Sequence, residues 1–410
     1  MDRKFFDRFD ITLFLSVIGL IVIGIFAIYS ATQSSVNNSG IYVKQLTFAI
    51  IGLVMVIGIT YLPPRYISSL SYYAYGLALV LLLLVLVFGR TINGNKSWFY
   101  LAGFGIQPSE FAKVATVMAV SNFFYKGDED NQKFSVTQLL TATGIVLLPA
   151  ILIKLENDTG TTLVMLSFII PMFFFAGVSP FLLFAVVTTV AAAVLAFINI
   201  YYFAVFLAFL ILALYFFKKH WLLSAGVFVI NVIAGYSVSF FYSKLQPYQQ
   251  KRIMAVFDPA SDPLGSGYNV IQSKVAIGSG GLFGKGFLQG SQTQLRFIPE
   301  QWTDFIYCMI GEEFGLLGAG VVILLFGIII YRLLTNAYLS RNRYMMLACI
   351  GFASLFFFHM FINVGMTIGI APVIGIPLPL VSNGVSSLMS FLLMVGIGMN
   401  TYRHKDIFLS

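Results

Sequence analysis

The chain has 410 residues, of which 59% are hydrophobic and 10% charged, with a mean hydropathy of +0.91; an average soluble domain carries roughly 25% charged residues. Water cannot be the solvent for so much apolar surface, which excludes a set of soluble domains and points to one all-α membrane domain spanning 1–410. The net charge of +8 does not signal nucleic acid, because Lys and Arg sit in short connections between apolar runs, as topology signals and headgroup contacts do.

A span needs about 20 apolar residues. Runs of that kind lie at 11–31, 43–62, 70–88, 108–124, 136–153, 160–177, 180–198, 201–217, 221–242, 305–331, 344–368 and 378–401, about twelve helices in all. The first run follows Arg3, Lys4 and Arg8 without a convincing cleavage site, so it reads as a retained helix. Arg65, Lys126, Lys133, Lys218, Lys219, Arg332, Arg341, Arg343, Arg403 and Lys405 fall on the N-terminal side of the membrane, and only Lys44, Arg90, Lys96 and Lys154 on the other short loops. This asymmetry predicts both termini inside and the segment 243–304 outside. The acidic run Asp128-Glu129-Asp130 reads as a solvated cytoplasmic turn. Cys308 and Cys349 lie in apolar segments and imply no disulfide framework or metal site. None of the three histidines lies in the outer loop, which leaves that loop without a histidine base.

Five polar constellations interrupt the apolar pattern. Pro108, Ser109 and Glu110 suit a helix N-terminus, and Glu110 and Lys113 are spaced to face the same way and pair. Lys113 lies one turn inside an apolar helix, where it either snorkels to the surface or serves a function. Asp158 precedes the sixth span as a candidate cap, with Glu156 beside it. The outer loop interleaves apolar residues with Gly, Ser, Gln and Asn, which predicts a structured loop with short amphipathic helices. Within it, Asp262-Pro263 is either a plain turn or a carboxylate held rigidly as a general base. The glycines around Ser279 and Lys285 are either flexible or a cradle for an anion. Glu300, Thr303 and Asp304 stand just above Glu312 and Glu313, two carboxylates that need cations or water at a helix edge. Pro372, Pro377 and Pro379 cannot share a regular helix, so this stretch reads as re-entrant, with Asn363 and Ser382 free to supply hydrogen bonds. All five map to the outer side and together suggest one polar, charge-lined cavity.

In chain order the motifs QPSEFAK, LENDTGT, DPASDPLGSGYNVIQSKVAIGSGGLFGKG, FIPEQWTDF, EEFG and NVGMTIGIAPVIGIPLPLVS resemble the SEDS family (shape, elongation, division and sporulation) through nearly the whole chain. The loop phrase, with GSQTQLRFIPE after it, is closer to the RodA-type elongation branch than to the division branch. The resemblance implies a peptidoglycan glycosyltransferase that polymerises lipid II, and the growing undecaprenyl-diphosphate-linked glycan, on the outer face of the bacterial cytoplasmic membrane. It implies a class B penicillin-binding protein as partner, contacts with membrane lipids and with other elongation-machinery proteins, and no nucleic acid. The family's essential aspartate falls on Asp262, as catalytic base. Its other site positions fall on Glu110, Lys113, Asp158, Glu300, Thr303, Asp304, Glu312 and Glu313, with Lys285, Ser279, Asn363 and Ser382 as further substrate-binding candidates.

The chain departs from the family pattern in three places. Ser97 stands before Trp98 where Arg is usual, so Lys96 is the candidate anion binder there, without the guanidinium fork. The run Ser382-Asn383-Gly384-Val385-Ser386-Ser387 differs at two positions from the family's. The family has ten spans, so the count of twelve places an added helical hairpin within 180–242. Mg²⁺ or Mn²⁺ is expected to accompany diphosphate chemistry, although no cage is readable. A lipid II flippase is the alternative, which inverted repeats would favour and none is visible; a scaffold fits the dense polar loop poorly.

Overall fold

The computed structural model describes residues 8–33, 40–92, 94–101, 104–126, 136–217, 221–259, 265–299 and 301–406. Asp262, Glu300, the run Asp128-Glu129-Asp130 and the basic residues Arg3, Lys4, Lys133, Lys218 and Lys219 lie outside the described residues. The chain forms two compact units, one from Met1–Met172 with Ala255–Ser410 and one from Phe173–Met254.

The first unit opens with helices α1 (Ile11–Gln33), α2 (Ile41–Tyr61) and α3 (Pro64–Phe88), then a three-stranded antiparallel sheet of β1 (Arg90–Ile92), β2 (Asn95–Leu101) and β3 (Phe104–Ile106). The sheet departs from the all-helical expectation locally. Its cause is visible in the sequence: Ile92 pairs with Asn95 across a turn in which Gly94 takes φ 85°, and Trp98, Phe99 and Tyr100 are strand formers. Helices α4 (Pro108–Lys126), α5 (Val136–Leu155), α6 (Thr159–Ser167) and the start of α7 (Ile169–Ala176) follow.

The second unit contains α8 (Pro180–Ile198), α9 (Ile200–Phe216) and α10 (Trp221–Lys244), then most of α11 (Pro247–Phe257). Asn199 alone connects α8 to α9, and its side chain accepts the Tyr201 N–H at 2.8 Å to start the second helix. Phe181, Leu210, Leu214 and Val227 form its core, and the Phe203 ring packs where only the hydrogen of Gly235 leaves room.

The first unit resumes with α12 (Ser266–Gly280), the single turn α13 (Ser291–Gln294), α14 (Ile306–Leu339), α15 (Arg343–Ile368) and α16 (Val385–Arg403). Each expected span has its helix, except that 378–384 lies outside α16, in an irregular stretch from 369 to 384 that carries the three prolines. Among the described residues, ten helices are long and apolar enough to cross a membrane; α4 is too polar for that test and α9 is 17 residues long. The chain is a multi-pass membrane protein. Helices α4, α15 and α16 are largely buried, and α14 packs on α15 and α1 while α16 packs on α2. Small residues permit these approaches: Gly52 meets Leu392, Gly396 meets Ile59, and a Cβ at Gly24 would fall 2.6 Å from the Val381 carbonyl oxygen. At the N-terminal end of α1, buried Asp10 caps the helix through the Leu13 N–H and takes Arg332 Nε at 3.0 Å and Asn336 Nδ2 at 3.0 Å.

Candidate active site

Helix α14 is broken near its start. Gly315 takes φ 68°, so Leu316 and Leu317 cannot donate to Glu312 and Glu313 as a continuous helix requires. The glycine-rich segment supplies the missing partners. Leu316 N donates to Gly281 O at 2.9 Å and Leu317 N to Leu282 O at 3.2 Å, while Lys285 N and Gly286 N donate to the Glu312 and Glu313 carbonyls, each at 3.0 Å. The two backbones touch so closely that a Cβ on Gly280 would strike the Gly311 carbonyl and one on Gly284 the Glu313 carbonyl. Gly280 and Gly284 therefore serve a backbone-to-backbone junction, in which the Lys285 and Gly286 N–H groups face carbonyls. Ser279 is exposed, its hydroxyl donating to Ala276 O of its own helix at 2.9 Å.

The same junction satisfies the two carboxylates. Glu312 is fully buried; Oε1 accepts from Lys285 Nζ and Gln292 N, both at 2.9 Å, and Oε2 from Thr293 N at 3.0 Å and Thr293 Oγ1 at 2.8 Å. Lys285 is 28% exposed and also reaches Ser291 Oγ at 2.8 Å, so its ammonium is held by protein partners rather than left to an anion. Glu313 accepts from Ser30 of α1, whose hydroxyl also accepts from Gln294 Nε2 at 3.1 Å.

A second charged group lies in α4. Glu110 and Lys113 pair at 2.9 Å as their spacing predicts, but Lys113 is 1% exposed and does not snorkel. His359 Nε2 on α15 lies 3.0 Å from its Nζ, and Ser390 on α16 donates to Glu110 Oε2 at 3.1 Å. Asp158 caps α6 through the Thr161 N–H at 2.9 Å, and its other oxygen accepts from Thr161 Oγ1 at 2.8 Å and Gln107 Nε2 at 3.0 Å. Burial raises the Asp158 carboxyl above its ordinary range against the opposing pull of the Thr161 hydrogen bonds. Glu156, between the same two helices, is fully buried, and neither carboxyl oxygen has a hydrogen-bond partner among the described residues. Burial, reinforced by the Asp158 charge, pushes its pKa up to about 9, so the group is a neutral acid at pH 7.

The irregular stretch 369–384 joins these groups. Asn363 Nδ2 donates to Ile376 O at 2.8 Å and Asp304 O at 2.9 Å. Ser382 Oγ donates to Thr303 O at 2.6 Å, and Asn383 N to Trp302 O at 3.0 Å. Gln45 holds Ser382 O at 3.1 Å, and Gln301 Nε2 bridges Ala31 O and Thr293 O, each at 3.1 Å. Hydrogen bonds, joined through the backbone at 377–378 and 301–303, thus link Asp158 to Lys285. The expectation of an open cavity lined by charge is corrected for four residues: Glu110, Lys113, Glu312 and Glu313 are each at most 3% exposed, with Glu110 paired to Lys113 and Glu312 to Lys285. Charge in apolar surroundings is tolerated when paired or hydrogen-bonded, as Glu110 is by Lys113, Glu312 by Lys285 and Glu313 by Ser30.

Lys96 and Trp98 stand in the sheet. Lys96 Nζ donates to Val87 O at 3.0 Å, an unsatisfied carbonyl at the end of α3, and the Trp98 ring covers Gly105. Lys96 N donates to Glu156 O at 3.1 Å, which ties the sheet to the α5–α6 junction; Ser97 is buried beside it. Among the described residues no group of three or more His, Cys, Asp or Glu is placed to hold a metal ion, so these residues do not fit a protein cage for Mg²⁺ or Mn²⁺. Sequence reading passed over His359, Ser386, Ser390, Gln107, Gln45 and Ser30. The available signal was spacing: His359 and Asn363, and Ser386 and Ser390, stand four apart on otherwise apolar helices and so share a face.

The model of the cell cycle protein family FTSW_RODA_SPOVE matches residues 9–211 and 181–407. The chain belongs to this family. Peptidoglycan glycosyltransferase MrdB of Escherichia coli K12 is 33% identical over 407 residues, covering 99% of this chain and 97% of that protein. Peptidoglycan glycosyltransferase RodA of Treponema pallidum is 34% identical over 428 residues, covering 96% and 97%. A chain from a peptidoglycan synthase complex, solved for its coordination of polymerization and crosslinking, superposes with a TM-score of 0.72 at 28% identity, covering 97% of this chain and 98% of that one. The rod shape determining protein RodA of Thermus thermophilus shares the fold, with a TM-score of 0.63 at 24% identity over 97% of both chains. The RodA-type SEDS assignment thus extends over the whole membrane domain.

Proposed function

We propose that this chain is a peptidoglycan glycosyltransferase that polymerises lipid II into glycan strands on the outer face of the cytoplasmic membrane during cell elongation. The observation that carries this is the end-to-end relation to MrdB at 33% identity over 99% of this chain. In the reaction, the acceptor sugar's 4-hydroxyl attacks the donor's anomeric carbon. The new C–O bond forms as the bond to diphosphate breaks, and the lipid diphosphate leaves with the electron pair. Asp262 takes the hydroxyl proton as general base, and Lys113 stabilises the charge that develops on the leaving diphosphate. Because its partners are internal, Lys113 acts from within the hydrogen-bond network. Mg²⁺ or Mn²⁺ accompanies the substrate's diphosphate, which chelation by EDTA tests. The partner is a class B penicillin-binding protein, consistent with the likeness to a chain of a complex that coordinates polymerization and crosslinking. Both termini are cytoplasmic, in line with the Lys and Arg asymmetry of the loops.

The test is to purify the chain with and without a cognate class B partner, incubate it with fluorescent lipid II and Mg²⁺, and resolve products on a gel beside Asp262→Ala. A glycan ladder from the wild type alone is expected. Wild-type turnover by a folded Asp262→Ala chain would remove Asp262 as the base. A silent wild type that instead carries lipid II across vesicle membranes would replace the polymerase reading with transport.

A further inference from the structure

Lys113 is held by groups from three helices. Besides Glu110 on its own helix and His359 Nε2 at 3.0 Å, the centre of the Phe391 ring on α16 lies 5.3 Å from its Nζ. An ammonium only donates, so Nε2 accepts and the ring hydrogen sits on Nδ1, which faces the Pro377 carbonyl at 3.2 Å. The imidazole is 1% exposed and stands edge-on to Phe391, with ring centres 4.8 Å apart at 87°. It cannot turn away without repacking that ring. Pro377 in turn belongs to the stretch that Asn363 and Ser382 fasten to residues 303–304.

We infer that His359 is a positioning residue for Lys113, clamping its ammonium beside Glu110 and locking it to the register of the proline-rich stretch 369–384. A lysine one turn inside an apolar helix otherwise extends its four-carbon stem toward the surface. The clamp prevents this and presents the charge at one depth. A neutral ring suits the task, because it accepts the ammonium hydrogen without adding a second negative charge where a diphosphate must be attracted. The inference rests on the reading of Lys113 as the group that stabilises the leaving diphosphate.

Three chains, wild type, His359→Gln and His359→Phe, test it with lipid II and the class B partner. Glutamine offers one acceptor and one donor; phenylalanine fills the space against Phe391 and offers neither. H359Q is expected to keep kcat within about threefold of wild type, and H359F to lose about tenfold or more in kcat with KM little changed, as for an interaction made in the transition state. A second readout does not depend on activity: amine-reactive labelling followed by mass spectrometry, with exposed Lys274 as internal reference. Lys113 should label several-fold faster in H359F than in wild type. Wild-type kcat in H359F, unchanged Lys113 labelling, or a folded H359Q with less than a tenth of wild-type turnover overturns the proposal. If H359F does not extract as a monodisperse protein, the H359Q result decides alone. Full turnover by Lys113→Ala overturns the reading of Lys113 itself, whereas unchanged labelling beside an inactive Lys113→Ala overturns only the role of His359.

Discussion

Replacing Glu312 with alanine should detach the glycine-rich segment from the broken helix. Glu312 is fully buried and its carboxylate accepts the backbone N–H groups of Gln292 and Thr293 at 2.9 and 3.0 Å. Alanine leaves both without an acceptor, at about 1–3 kcal/mol each. The Lys285 partner is 28% exposed and can turn to water, so its loss adds only about 0–1 kcal/mol. The sum is a destabilisation of about 2–7 kcal/mol. Glu312→Gln should cost roughly half of that, because its amide oxygen still accepts one of the two N–H groups. Two assays read the effect: the thermal midpoint in detergent, by the loss of monodisperse protein on heating, and trypsin cleavage after Lys285. Glu312→Ala should melt lower and be cut where the wild type resists, with Glu312→Gln between them. A Glu312→Ala chain that melts with the wild type and resists cleavage at Lys285 refutes the reasoning. So does a glutamine variant less stable than the alanine one.

Gly284→Val should also open this junction: the residue sits at φ 80°, which costs a β-branched side chain about 1–3 kcal/mol before its Cβ meets the Glu313 carbonyl. The same melting and trypsin assays check it. Glu156 predicts a pH dependence. Its folded pKa of about 9 lies above the ordinary 4.5, so between those values the folded state binds one more proton than the unfolded state. Stability should therefore fall as pH rises through that window, by at most about 1.4 kcal/mol per unit from this group. Glu156→Gln should flatten the decline and melt above the wild type at pH 8.5; parallel curves for the two proteins would show that Glu156 is not a buried acid. Arg332→Ala should lower the melting midpoint by removing the cation beside buried Asp10, yet leave turnover per folded molecule unchanged. Its site lies some twenty residues of helix, roughly 30 Å, from Ser30 at the other end of α1.

Sequence alone was enough for what depends on local pattern. Every long apolar run became a helix because backbone polar groups in lipid must be satisfied within their own segment. The Asp158 cap and the Glu110–Lys113 pair follow from spacings of three residues along a helix, which fix geometry without knowledge of the rest of the chain. The proline spacing after Gly369 required an irregular stretch, and the structure has one. The motifs also carried the family, because their order and spelling survive through nearly the whole chain.

What tertiary structure decided is where the polar groups point. From sequence, Lys113 was either at the surface or functional; His359, 246 positions away, holds it inside. The glycines around Lys285 read equally as flexible or anion-binding, and only the break at Gly315 shows that they fill the gap in a distant helix. Lys285, expected at a phosphate, answers Glu312 because a carboxylate buried in apolar surroundings must find the nearest cation. Helical periodicity states which residues share a face. Which two faces meet depends on how the helices pack, and that is a property of the whole chain.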